Sequence, residues 1–349
     1  MRKSLLFLTL IGSFTACDDV STSGNEDHQA VLVNTVDHVV IQTYESLNTE
    51  AEKLVLALRA LETQPTQANL DVARQAWRSA RVYWELAEGF LFGPVDQQGI
   101  DPVIDSWPVN EADLQAVLAS GHVLDKAYVD SLEGTLKGFH TIEFLLFGAS
   151  GDKTTTAFTV RELAYLRACG ESLKGATQQL YDAWQPNGQH FGRTVKEAGA
   201  DWNTVYRSQR SALQELVDGV ITIADEVGNG KIQDPFAQSD VRFEESRFSA
   251  NSKADFADNI RSIRNIYIGG MNNRASGASL SDLVRAENET TDAEIRAKIE
   301  AAISGIENIP GTFTAAIFTQ RPAVQAAQIQ VRALQQVLEE KLKPMLDNF

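Results

Sequence analysis

Apolar residues recur every three to four positions along most of the chain, the spacing of an amphipathic helix rather than a strand. The pattern predicts a long helix over Ala30 to Leu61, closed by Pro65, and a second over Thr66 to Phe92, stopped by Gly93-Pro94. Shorter helices are expected over Glu111 to Leu118 and Leu136 to Phe147. Ala157 to Trp184 runs into Pro186-Asn187-Gly188, Asp201 to Val227 into Gly228-Asn229-Gly230, and Lys253 to Tyr267 into Gly269-Gly270. Asp292 to Ile306 precedes Pro310-Gly311, and Arg321 to Met345 closes the chain. No alternating apolar run is paired with a hairpin turn. The expected fold class is all-α, assembled from helical bundles.

The pattern also repeats. Gly93-Pro94 after one helix has a counterpart in Gly269-Gly270 after another, and Ile104-Asp105-Ser106-Trp107 in Leu280-Ser281-Asp282-Leu283. Gly138-Phe139-His140-Thr141 aligns with Gly311-Thr312-Phe313-Thr314. The offsets cluster near 173 residues, which predicts two similar helical bundles from an internal duplication. The expected organisation is an N-terminal bundle over 28–195 and a C-terminal bundle over 196–349.

The first residues read differently. Arg2 and Lys3 precede the short apolar run Leu5 to Ile11, which is too short to span a bilayer, and small residues lead to Ala16-Cys17. Residues 1–16 are expected to be a secretory signal, with Cys17 lipidated and 17–27 a polar tether. An ordinary signal peptide with a chance cysteine is the alternative. Asp18-Asp19 suits either export to the cell surface or retention at the inner membrane.

Composition narrows the function. The 349 residues are 43% hydrophobic, enough for a sizeable core, and two cysteines cannot make a disulfide scaffold. A net charge of -16 opposes nucleic-acid binding and suits a site for cations. Cys169, in an apolar helical stretch, is expected to be buried and inert.

Few residues can carry chemistry. Among five histidines there is no His-Glu-x-x-His pair, and no P-loop or Gly-x-Ser-x-Gly elbow is present. Gly138-Phe139-His140-Thr141-Ile142-Glu143-Phe144-Leu145-Leu146-Phe147 is apolar nearly all round, yet carries His140 and Glu143 on one face. A buried carboxylate needs a partner, so the two must share an arginine or a metal ion. Imidazole and carboxylate suit zinc or iron. Aligned through the repeat, the pair falls on Phe313 and Ala316, so the architecture accepts apolar residues there. Trp77, Arg81, Trp84 and Glu88 form one helical stripe facing the interior, with a surface Arg81–Glu85 pair as the alternative. Asp96, Asp101, Asp105 and Trp107-Pro108 follow in a loop.

These segments resemble the imelysin family. The resemblance rests on Glu88-Gly89-Phe90-Leu91-Phe92-Gly93, Ser106-Trp107-Pro108 and Gly138-x-His140-x-x-Glu143. In the second half it rests on Glu245-Ser246-Arg247-Phe248-Ser249-Ala250-Asn251-Ser252 and Asn265-Ile266-Tyr267-Ile268-Gly269. It implies two all-α bundles with the motif in the cleft between them, and export to the periplasm or outer membrane. The family is associated with iron acquisition and has also been classed with metallopeptidases. The first expectation is a lipid-anchored protein holding a metal ion, iron or zinc, or an iron-bearing ligand. His140, Glu143 and Glu88 are its expected metal ligands. Asp105, Trp107, Ser249 and Asn251 would contact the ligand. A metallopeptidase using His140 and Glu143, and a non-catalytic partner of an outer-membrane iron transporter, are the alternatives. A complete hydrolytic centre is not evident, since a second histidine is missing.

Overall fold

The computed structural model describes residues 26–349. The expected signal segment and Cys17 lie outside the described residues. All regular elements among the described residues are helical. Helix starts at Glu26, inside the segment read as tether, and continues to Thr63 through one π-helical turn at Val36–Val40. No helix among the described residues is long and apolar enough to cross a membrane.

Two expected helix ends move, and both changes shape the site. Helix Gln67–Glu85 stops well short of Phe92, and Glu88–Phe90 is a 3-10 turn instead. The chain leaves the helix because the Gly89 backbone docks on the second half. Its N–H donates to Ser262 Oγ at 2.9 Å, and a Cβ there would lie 2.7 Å from that oxygen. The glycines at 228 and 230 do not end their helix. Gln209–Asp225 continues as π-helix over Glu226–Lys231 into Gln233–Gln238, and the Gln328 amide caps the Gly228 carbonyl at 2.9 Å.

Helix Ile41–Thr63 packs between Gln67–Glu85 and Val160–Trp184, with Gly138–Phe147 against the latter two. In the second half Glu289–Glu307 packs on both Arg321–Val337 and Ser252–Ile268, and Gln209–Asp225 on Ser252–Ile268. The halves meet along Gln67–Glu85 and Ser252–Ile268. Trp77, Trp84, Trp184, Tyr44 and Phe139 fill the first half's core, and Phe256 and Phe313 stack edge-to-face in the second at 5.2 Å. Cys169 is fully buried, with its thiol pushed up by burial.

Candidate metal centre

Helix Gly138–Phe147 begins at a residue only glycine suits. Gly138 has φ +73, and a Cβ on it would lie 2.4 Å from the Ile104 carbonyl. The start of this helix therefore sits directly on the end of helix Asp101–Asp105. That contact brings Asp105 to His140, whose Nε2 lies 3.1 Å from Asp105 Oδ1. Three residues on, Glu143 Oε2 lies 3.4 Å from His140 Nδ1. Its other oxygen accepts from Ser249 N–H and Oγ–H, both at 2.7 Å. His140 and Glu143 are both fully buried.

Arg81 anchors the cluster from helix Gln67–Glu85. Its guanidinium is inaccessible to solvent and lies over the Phe139 ring, 5.3 Å from the centroid. It donates to Asp105 Oδ1, to Glu245 Oε1 at 2.8 Å and pairs with Glu85 at 2.5 Å. Trp84 Nε1 donates to the other Asp105 oxygen at 2.6 Å. Lys231 Nζ lies 3.2 Å from Glu245 Oε1. The surface-pair alternative for Arg81 and Glu85 is therefore wrong: both are wholly buried, because the helix face they share meets the second half.

These surroundings set the charges. Burial disfavours a charged imidazole, but Asp105 outweighs it, and His140 is raised to about 9. Burial works against ionised Asp105 as well, yet Arg81 and His140 hold it below the usual carboxylate range. Glu245 is likewise lowered, with Lys231 and Arg81 overcoming burial. Glu85 and Glu88 go the other way: burial outweighs Arg81 at Glu85 and Lys231 at Glu88, raising both well above a normal glutamate. Asp101 is raised to about 6 by burial and by Asp105.

One ligand atom each from Asp105, His140 and Glu245 lies within 4.8 Å of the others. Among them, His140 Nε2 is 3.1 Å from Asp105 Oδ1 and 3.9 Å from Glu245 Oε1. Such spacings suit donors around a small cation bound at about 2.1 Å. Donor capacity is also left over, since His140 Nε2 and Glu245 Oε2 are buried without a hydrogen bond. One imidazole and two carboxylates suit iron, manganese or zinc. Arg81 uses Asp105 Oδ1, which keeps a second lone pair, while Arg81 and Lys231 share Glu245 Oε1 and leave Glu245 Oε2 open. The residues thus fit a cation. A cleft of about 360 Å³ leads to them, with Glu88, Asp101, Glu226 and Asp234 around it, Lys231 at its wall and Trp107 and Phe243 as aromatic sides.

A family model described as imelysin, peptidase M75, matches residues 40–345. The chain belongs to the imelysin family. It is 30% identical over 326 residues to "Iron-regulated protein A" of Synechococcus elongatus, covering 91% of this chain and 88% of that protein. A solved structure from Parabacteroides distasonis, described as an iron-regulated protein A precursor, superposes with a TM-score of 0.84. The identity is 27%, over 92% of this chain and 95% of that one. An imelysin-like protein from Psychrobacter arcticum shares the fold, with a TM-score of 0.76 at 13% identity over 92% and 96% of the two chains.

In this imelysin chain the expected site residues gather, in altered positions. Asp105 and Trp107 line the cleft. Glu88 lines it too, 3.9 Å from Lys231, and is not one of the three residues whose ligand atoms converge. Glu143 lies on the far side of the imidazole from Asp105 and is also outside that group. Ser249 reaches across to Glu143, whereas Asn251 binds Arg78 at 2.5 Å and Asp255 at 2.7 Å. Sequence reasoning passed over Glu245 as a donor and Lys231 altogether. Both come from segments read as motif flank or helix stop, and only the fold sets them beside His140.

Proposed function

We propose that this chain binds a metal ion through Asp105, His140 and Glu245 and serves iron acquisition. The observation that carries this reading is His140 Nε2: fully buried, without a hydrogen bond, and facing two carboxylates. Glu143 is then a positioning residue. It accepts from His140 Nδ1–H, which leaves Nε2 as the donor atom, while Ser249 holds the carboxylate still. A bound metal would supply a Lewis-acidic positive charge at the cleft floor. The cleft lining favours a free or hydrated cation over an anionic iron chelate, because six carboxylates line it against one ammonium. The name iron-regulated protein A, carried by a relative, supports the link to iron.

The same proposal has Cys17 lipidated, the protein held at the outer membrane on its periplasmic or outer face, and an iron transporter as its partner. It also has an internal duplication. Three contacts between the halves share nearly one offset: Arg78 with Asn251, Glu85 with Asn259, and Gly89 with Ser262. Rising together, they make helices Gln67–Glu85 and Ser252–Ile268 parallel, as a two-fold axis along them would require. Peptidase chemistry has less support, since Ser249 and His140 occupy both oxygens of Glu143, the nearest general-base candidate.

The test is metal content. The chain from Asp18, loaded with Fe2+, Mn2+ or Zn2+ and dialysed, is expected to retain about one equivalent by mass spectrometry. His140→Ala is expected to retain none while keeping the wild-type circular dichroism spectrum. A wild type that takes up no metal after loading would sink the proposal.

A further inference from the structure

Lys231 stands in the site in an unusual way. It ends the π-helical segment Glu226–Lys231 and places its ammonium among four carboxylates. Nζ is 3.2 Å from Glu245 Oε1, 3.7 Å from Glu85 Oε2, 3.8 Å from Glu226 Oε1 and 3.9 Å from Glu88 Oε1. Its side chain is only 9% exposed. One of the four distances is a hydrogen bond; the others are ion-pair contacts across a cage too wide for three N–H donors to close. Glu245 Oε1 also accepts from Arg81 and lies 3.9 Å from His140 Nε2. The lysine and a metal ion therefore draw on the same carboxylate.

The two buried cations differ in how they are held. Arg81 is a planar fork pinned by Asp105, Glu85 and Glu245 and covered by Phe139. Lys231 is a point charge on a four-carbon stem that lines the open cleft. Its turn contains Gly230, around which a Cβ would meet nothing within 4 Å. Arg81 is fixed counter-charge, whereas Lys231 is counter-charge on the wall of the open cleft.

We propose that Lys231 is a tethered competitor for the metal. It fills the cation cage between Glu85, Glu88, Glu226 and Glu245 when no divalent cation is bound, and it limits the affinity for one that enters. A protein that hands a metal on needs such a limit, because each tenfold gain in affinity at a fixed on-rate slows release tenfold. This inference rests on the metal-site reading above.

The experiment compares the full chain with Lys231→Met and Lys231→Arg, titrated with Mn2+ and Zn2+ by calorimetry and melted with and without metal. Lys231→Met is expected to bind at least tenfold more tightly than wild type. Its melting temperature should fall without metal and recover when metal is added. Lys231→Arg keeps the charge and should stay near wild type. A merely structural lysine would lower the melting temperature and leave affinity unchanged or weaker, which overturns the inference. If Lys231→Met does not fold, Lys231→Gln must show the same gain in affinity. Binding by the charge-removing variant but not by wild type supports the inference and removes the wild-type metal site. Binding by neither overturns both.

Discussion

Arg81 shows what burial does to a single residue. A guanidinium with no solvent contact is tolerable only because carboxylates from Glu85, Asp105 and Glu245 surround it. Arg81→Met strips those acids of their partner and is expected to lower the unfolding free energy by about 3–5 kcal/mol in urea titrations. A cost under about 1 kcal/mol would mean that the acids already take up protons. His140 adds a pH signature. Its pKa is raised to about 9 in the fold, against 6.5 for the free side chain. The bound proton thus contributes stability that is fully present below pH 6.5 and is lost as pH rises through 9. Melting curves of metal-free wild type should fall over that window, and those of His140→Ala should fall less. Metal binding should strengthen over the same window, because the imidazole must shed its proton to become a ligand. The polar pair itself was legible in sequence, because a histidine and a glutamate on an otherwise apolar helix demand partners. Which partners they find was not: Ser249 is 106 residues from Glu143, and Glu245 is 164 from Arg81.

Elements decide how those residues approach one another. The glycine of Gly138-x-His140-x-x-Glu143 makes a contact that no other residue could make, holding the helix start on the Ile104 carbonyl. Gly138→Ala combines a left-handed backbone, costing about 1–2 kcal/mol, with a clash against backbone. It is expected to destabilise the protein by at least that amount and to weaken metal binding, since Asp105 follows Ile104. Unchanged binding by a folded variant would show that the helix contact does not set the Asp105–His140 distance. Helix periodicity located nearly all the long helices but misjudged where two of them stop. At Gly89 a tertiary hydrogen bond donated to Ser262 Oγ ends the helix early, and at Gly228 a side chain from Gln328 carries it on. Propensity is local, while both of these determinants come from distant segments, 173 residues away at Gly89 and 100 at Gly228.

At the scale of the molecule the halves are bound by charge as well as by packing. Arg81 takes Glu85 and Asp105 from the first half and Glu245 from the second, and Glu143 takes Ser249. Residues 28–195 and 196–349 made separately would each expose the seam and leave these groups unpaired. They are expected to be unfolded or aggregated by circular dichroism and light scattering, while the whole chain unfolds in one transition. Two resolved transitions in the intact chain would show that the halves are energetically independent.

The sequence by itself determined the all-α class, most helix positions, the acidic character suited to cations, and the His140–Glu143 pair. These follow from periodicity and composition, which neighbouring residues carry. Only the tertiary structure decided that Asp105 and Glu245 converge on His140, that Glu143 stands behind it, and that Lys231 enters the same cage. Long-range ion pairs leave no periodic trace, because their partners are selected by how helices pack and not by spacing along the chain.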